Sequence, residues 1–284
     1  MSALTDRHPK EKLYYSVCLG FSLIAYTAVI LVLYYLASPV SVLVLLVTIL
    51  TGALSLWITE QFFKALVFGN AVKITELQFP GIHAIIQKQI QALGLEKEID
   101  VFIYNGQGLI NAIALKFISK KYVILMANLV DLMLKRGAYP ELEMIIGHEL
   151  AHHSLKHTSL FRVIALWPSN VIPLLGLAYS RGCEYSADKV AFELTKSNKS
   201  AIRGLLSITL GSEALSNEMD IKSFVYQERS VPGFFGFLAN AFSTHPRMTR
   251  RIEELLPKWD MIQGTTAVKK EVVYDDSRYS PSMT

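Results

Sequence analysis

The sequence predicts an α+β protein, mostly helical with a small β-sheet, preceded by an N-terminal transmembrane helical hairpin. Three observations carry this: two long uncharged runs near the start, short β-branched and aromatic runs between residues 99 and 126, and helical periodicity through most of the remainder. The composition agrees. Of 284 residues, 51% are hydrophobic and 18% charged, with a mean hydropathy of +0.33, too apolar for an ordinary soluble domain of this size or for a disordered chain. The formal charge of +4 is spread along the chain, so the clustered basic footprint of a nucleic-acid binder is absent and no nucleic-acid partner is expected. Two cysteines, Cys18 and Cys183, make neither a disulfide framework nor a cysteine-rich metal module, and fit a reducing compartment.

Residues 13–36 and 40–58 each carry no charge, and each run reaches the roughly 20 residues that span a bilayer core. The connector of Ala37, Ser38 and Pro39 is too short for a domain, so the runs form a tight hairpin over 13–59 whose ends return to one side. A cleaved signal peptide is disfavoured, because a second run follows at once with no small-residue cleavage site between them. Arg7, Lys10 and Lys12 precede the first run, Lys64 and Lys73 follow the second, and the connector has no basic residue, which places residues 1–12 and everything after Lys73 in the cytoplasm. Tyr14, Tyr15, Tyr34, Tyr35 and Trp57 lie near the ends of the runs, where an interfacial belt belongs.

A globular domain is expected over 60–262 and a polar, disordered tail over 263–284. Residues 81–95 place Ile82, Ile85, Ile86, Ile90 and Leu93 at helical spacing before Gly94. Strands follow at 99–104, 109–115 and 122–126, separated by Asn105, Gly106 and Gly108 and by a turn at Ser119, Lys120 and Lys121. Residues 129–134 read as a helix, Gly137 and Pro140 punctuate the chain, and Glu141 opens a second helix through Leu155. The pattern beyond Asp188 is mostly helical.

That second helix contains His148, Glu149, Leu150, Ala151 and His152, an HExxH sequence. At about 100° per residue, side chains four apart face the same way on adjacent turns, so both imidazoles can reach one metal ion. Zinc suits two imidazoles and a carboxylate and keeps a fourth position for water, whose pKa it lowers towards neutrality. Glu149, beside the first ligand, is placed to accept that water's proton and pass it to a leaving amine. The apolar lead-in of Met144, Ile145 and Ile146 would bury one helix face and hold the ligands still. Glu184 and Asp188 share a helix face in CEYSAD, so one could complete a His2Glu site while the other orients a ligand histidine. Cys183 points about 100° away from Glu184 and is not expected to bind the same ion.

HELAHH, then EYSAD, then Ser243, Thr244, His245 and Pro246 resemble the HtpX-like and CAAX prenyl protease-like family of membrane zinc metallopeptidases, over roughly residues 74–256. Phe79 and Pro80, Asn111 and Ala112, His157 and Arg251 are smaller echoes of the same pattern. The resemblance implies a zincin-like (gluzincin) domain with one Zn2+ per chain held by His148, His152 and Glu184. It implies catalytic roles for Glu149 and for His245 near the substrate carbonyl, with Asp188 and Arg251 as support behind the ligands. A protein or peptide substrate and a lipid bilayer are then the expected partners. Expected with them is an integral protein of the bacterial inner membrane, catalytic domain facing the cytoplasm, working as a zinc metalloendopeptidase (EC 3.4.24 type) in membrane-protein quality control or processing. The alternatives are a metal-binding pseudoprotease or chaperone-like adaptor, and a membrane scaffold with accidental histidines.

The sequence departs from that family between the motifs. Residues 159–180 form one apolar insert interrupted by Arg162, Pro168 and Pro173, where further membrane spans are expected in HtpX-like proteins. If His152 and Glu184 hold one ion, a single crossing between them is forbidden, and the insert is too short for two. It must dip into the membrane as a broken hairpin, lie flat, or cap the metal site as core helices. A second apolar stretch, 231–242 with Phe234, Phe235, Phe237 and Phe242, is too short to cross and reads as core ahead of two alternatives, a substrate-groove lining or a lipid contact.

Overall fold

In the computed structural model, residues 3–36, 38–95, 99–117, 120–135, 137–195 and 198–262 are described. The tail over 263–284, Ala37 of the connector and Ser119 of the turn lie outside them. Helix α1 spans Pro9–Tyr35 and α2 spans Pro39–Asn70, each opening on a proline whose fixed φ suits a first helical position. Ser38 caps α2 reciprocally with Ser41: the Ser41 N–H donates to Ser38 Oγ at 3.2 Å and the Ser38 N–H to Ser41 Oγ at 2.9 Å. At about 1.5 Å per residue, the 27 residues of α1 and 32 of α2 both exceed the roughly 30 Å of bilayer hydrocarbon. Ile30, Val40 and Leu50 are more than half exposed along them, an outward apolar surface that lipid satisfies and water does not. These two helices are long and apolar enough to cross a membrane.

Both continue into the domain. Past residue 58, α2 buries Glu60, paired with Lys64 at 2.8 Å, and lays Phe63, Val67 and Phe68 against Phe102 and Tyr122 of the sheet. At the other end, the residues leading into α1 are docked: the His8 N–H donates to Ser186 Oγ at 2.9 Å and His8 Nε2 lies 2.8 Å from Glu254 Oε1.

The sheet runs β1 (Ala71–Lys73), β2 (Ile99–Tyr104), β4 (Lys121–Met126), β3 (Ala112–Lys116) across its width. β2 and β4 pair in parallel, Ile99 opposite Lys121, and the other two pairings are antiparallel. β3 forms an edge. It begins three residues later than the expected run, because Gly106 to Gly108 make a turn with Gln107 and Gly108 at positive φ, leaving Leu109 exposed. Between β1 and β2 lies α3 (Pro80–Ala92), whose buried Ile82, Ile85, Ile86 and Ile90 are the expected stripe and whose end is marked by Gly94 at φ 61°.

After β4 come α4 (Ala127–Lys135) and α5 (Tyr139–Ser154), then α6 (Leu160–Leu166), a 3-10 turn (Trp167–Val171) and α7 (Pro173–Leu194). The helices α8 (Asn198–Leu210), α9 (Glu213–Glu218), α10 (Ile221–Tyr226), α11 (Gly233–Ala241) and α12 (Met248–Ile262) complete the described chain. The HExxH helix, α5, sits between two cores. Ile145, Ile146 and Leu150 join Val123, Leu125 and the α3 isoleucines on one side, and Met144 joins Phe192, Ile202, Leu205 and Ile252 on the other. A helix buried on both sides holds its polar side chains in fixed positions.

The apolar insert turns back at its prolines, which open the 3-10 turn and α7. Leu166, Pro168 and Ser169 are buried, whereas Phe161, Trp167 and Val171 are 81%, 63% and 72% exposed. It packs alongside α1, where the Tyr26 hydroxyl donates to the Ile164 carbonyl. The insert is core on one side and an open apolar face on the other. The core reading of residues 231–242 fails: α11 buries Gly236 and Ala241, while Phe234, Phe235, Phe237 and Phe242 stay exposed. Gly236 is where the helix comes closest to its neighbours, since a Cβ there would meet Val231 Cγ1 at 2.3 Å.

Candidate metal centre and active site

The one-turn spacing on α5 brings His148 Nε2 and His152 Nε2 to 3.2 Å. From α7, Glu184 sets Oε2 3.5 Å from His148 Nε2 and Oε1 3.4 Å from His152 Nε2. Ligands about 2.0–2.1 Å from a tetrahedral ion stand roughly 3.3 Å apart, so this ring has the size of a zinc site. Glu184 Oε2 is buried without a hydrogen-bond partner, Arg251 Nη1 standing 3.6 Å away, and a metal ion in the ring would satisfy it. Burial pulls the Glu184 carboxyl upward, but the two imidazoles overcome it and hold the group well below the usual range. The residues present therefore fit zinc.

Behind His148, Asp188 Oδ1 lies 2.9 Å from Nδ1. Asp188 is one α7 turn past Glu184 and is gripped by Arg251 of α12, Nε to Oδ2 at 2.7 Å and Nη2 to Oδ1 at 2.6 Å. Burial again works against the Asp188 carboxylate, and the guanidinium outweighs it and lowers its pKa. This is a carboxylate-backed ligand histidine with a cation backing the carboxylate.

Glu149 is buried to 8% exposure and borders a cavity of about 390 Å³ shared with all three ligand residues and with Ile113 and Ala114 of edge strand β3. His245 borders the same cavity, its Nε2 3.7 Å from Glu184 Oε2 and its Nδ1 2.8 Å from Thr244 Oγ1. Its loop is fixed from outside: Arg181 Nη1 donates to the carbonyls of Ala241 and Ser243 at 2.9 and 2.8 Å, and Ser180 Oγ donates to the Thr244 carbonyl at 3.1 Å. The structure thus gathers all seven expected residues: three form the ring, Glu149, His245 and Arg251 border the cavity, and Asp188 stands behind His148 in the grip of Arg251. Cys183 faces away towards Glu11 and His157.

Two residues near the ring had no assigned role. His157 Nδ1 lies 2.9 Å from His152 Nδ1, and burial, against the opposing pull of Glu11, takes His157 down to about 4. Its position five residues after His152 is a weak hint in the sequence. Glu11 carries no signal at all, as one acid among the lysines before an apolar run.

The sequence pattern of Peptidase family M48 matches residues 76–168 and 159–258, the two matches overlapping at the start of the apolar insert. No curated protein matches the chain. The crystal structure of S. mikatae Ste24p aligns at 15% identity with a TM-score of 0.47, covering 86% of this chain and 65% of its own, so the present chain spans just under two thirds of that one. With the family pattern covering 76–258, the HExxH helix, the Glu184 helix and the His245 loop included, the chain belongs to peptidase family M48, a family of zinc metalloproteases.

Proposed function

We propose that this protein is a membrane-anchored zinc endopeptidase that cleaves peptide bonds in proteins at the membrane, in quality control or processing. The observation that carries the reading is the ring of His148, His152 and Glu184 opening on a cavity that also holds Glu149 and His245. Three protein ligands beside an open cavity are the catalytic type of zinc site, whereas structural sites close with four. When bound, zinc would polarise the scissile carbonyl and acidify the attacking water. Glu149 then takes the proton of that water and delivers it to the leaving amine, a role that suits a carboxylate buried in the cavity wall. Thr244 Oγ1 is placed to donate to His245 Nδ1, the tautomer that keeps the imidazole proton on Nε2, where it can stabilise the negative charge developing on the carbonyl oxygen. Asp188 holds His148 in the tautomer that leaves Nε2 free.

The substrate class follows from β3. An edge strand presents unpaired backbone groups, and an extended peptide can pair with them while its scissile bond lies over the ring. The basic residues flanking the hairpin orient the site towards the cytoplasm. The test compares peptides released from a membrane fraction by the wild-type protein and by Glu149→Gln. Released peptides should vanish in the variant while zinc content is retained; release at the wild-type level removes Glu149 from the role assigned.

A further inference from the structure

Beside the metal ring, Glu11, His157 and Cys183 bring ligand-type atoms within 4.8 Å of one another. Their chemistry is that of a metal site, but their surroundings are not. Arg7 donates to Glu11 Oε1, and Arg162 Nη1 stands 3.5 Å from the same oxygen. Two guanidinium groups already face this carboxylate, and a divalent cation would add like charge to them. The cluster does something else.

We propose that Glu11 and His157 are positioning residues for His152, forming a line of contacts from the root of the membrane anchor to the metal ring. The proposal rests on the zinc-site reading. His152 Nε2 is the nitrogen in the ring, 3.2 Å from His148 Nε2 and 3.4 Å from Glu184 Oε1. A metal-binding nitrogen carries no proton, so the proton of His152 sits on Nδ1, 2.9 Å from His157 Nδ1. His157 must accept there, which puts its own proton on Nε2, in ion-pair contact with Glu11 Oε1 at 3.2 Å though not aligned as a hydrogen bond. Each tautomer dictates the next, and the line ends on a carboxylate that is 0% exposed. His148 has Asp188 and Arg251 behind it; His152 has His157, then Glu11 with Arg7 and Arg162.

The backbone is shaped for this contact. Lys156 adopts φ 60°, uncommon for a residue with a side chain, and so turns the chain back for the His157 N–H to reach the His152 carbonyl at 2.9 Å. Arg7 Nη2 donates to the Leu155 carbonyl at 2.5 Å, holding the anchor root against the end of α5. Gly182 of α7 admits Glu11, since a Cβ there would lie 2.8 Å from the Glu11 Cα and 2.9 Å from its N. A residue that sequence assigns to the segment before a membrane span thereby reaches the second layer around the metal.

The test uses the full chain in detergent, with zinc affinity read by competition against a chelator and the unfolding temperature of the zinc-free form read alongside. His157→Ala should lose affinity by about 10-fold to 100-fold, the range for outer partners of ligand histidines. His157→Gln, whose amide can both accept from His152 and donate to Glu11, should recover most of it, and Glu11→Gln should fall between. Unchanged affinity in His157→Ala overturns the proposal, as does an equal loss in the Ala and Gln variants, which would make His157 mere packing. A wild-type protein with no stoichiometric zinc would sink the metal-site reading itself, a result distinct from these.

Discussion

Arg251 reaches Asp188 through two parallel hydrogen bonds, 2.7 and 2.6 Å, and both side chains are buried. Asp188 in turn lies 2.9 Å from His148 Nδ1, and Arg251 Nη1 stands 3.6 Å from Glu184 Oε2, so a cation on the last helix acts on the metal ring both through Asp188 and directly on a ligand carboxylate. Arg251→Met leaves that carboxylate buried and uncompensated. Breaking such a pair costs about 3–5 kcal/mol, and loosening the backing of His148 should weaken zinc binding by about 10-fold to 100-fold. Thermal unfolding and chelator competition on the variant check both. Arg251→Lys should recover only part, because an ammonium cannot reproduce the two-pronged contact.

His245 stands apart from the ring as a donor. Its Nε2 is 3.7 Å from Glu184 Oε2, and its side chain is 62% exposed. His245→Ala should therefore leave zinc content unchanged and lower kcat by about 10²-fold to 10³-fold, the loss typical of one oxyanion donor. Parallel metal analysis and steady-state kinetics separate the two effects; a matching loss of zinc would make His245 a ligand.

Glu228 holds the His245 loop from below. It accepts from Arg247 and Thr249, and from Arg250 Nε at 2.7 Å. Hydrogen bonding by Arg247 above all holds its carboxyl at about 2, below the ordinary value of 4.5. A depressed folded-state pKa gives stability that is present above pH 4.5 and is lost as pH falls towards 2. Glu228→Gln should lower stability at neutral pH by about 1–2 kcal/mol and flatten the acid loss in that window. Unfolding temperatures of both proteins between pH 2 and 7 provide the comparison.

Much of the site was legible because its spacing is local. His148 with His152, and Glu184 with Asp188, are pairs one helical turn apart, and the apolar residues before HExxH gave α5 a buried face. His245 and Arg251 were legible only through family resemblance, since a histidine before a proline and an arginine on a helix have no spacing rule linking them to a distant motif. The same limit hid Glu11, whose partner His157 is far away in sequence and whose neighbours are lysines. The end of α2 was missed for a different reason. Glu60 and Lys64 break the apolar run, yet they pair four residues apart, and the helix continues because Phe63, Val67 and Phe68 find the sheet. The exposed phenylalanines of α11 are the converse: composition suggested core, but the buried residues of that helix are Gly236 and Ala241.

The central claim is that His148, His152 and Glu184 hold one zinc ion. Elemental analysis of the purified full chain and of Glu184→Ala tests it most directly. One zinc per wild-type chain, falling to a small fraction in the variant while the protein stays folded, is the expected result. A wild-type chain without zinc, or a variant that keeps its full complement, would contradict it.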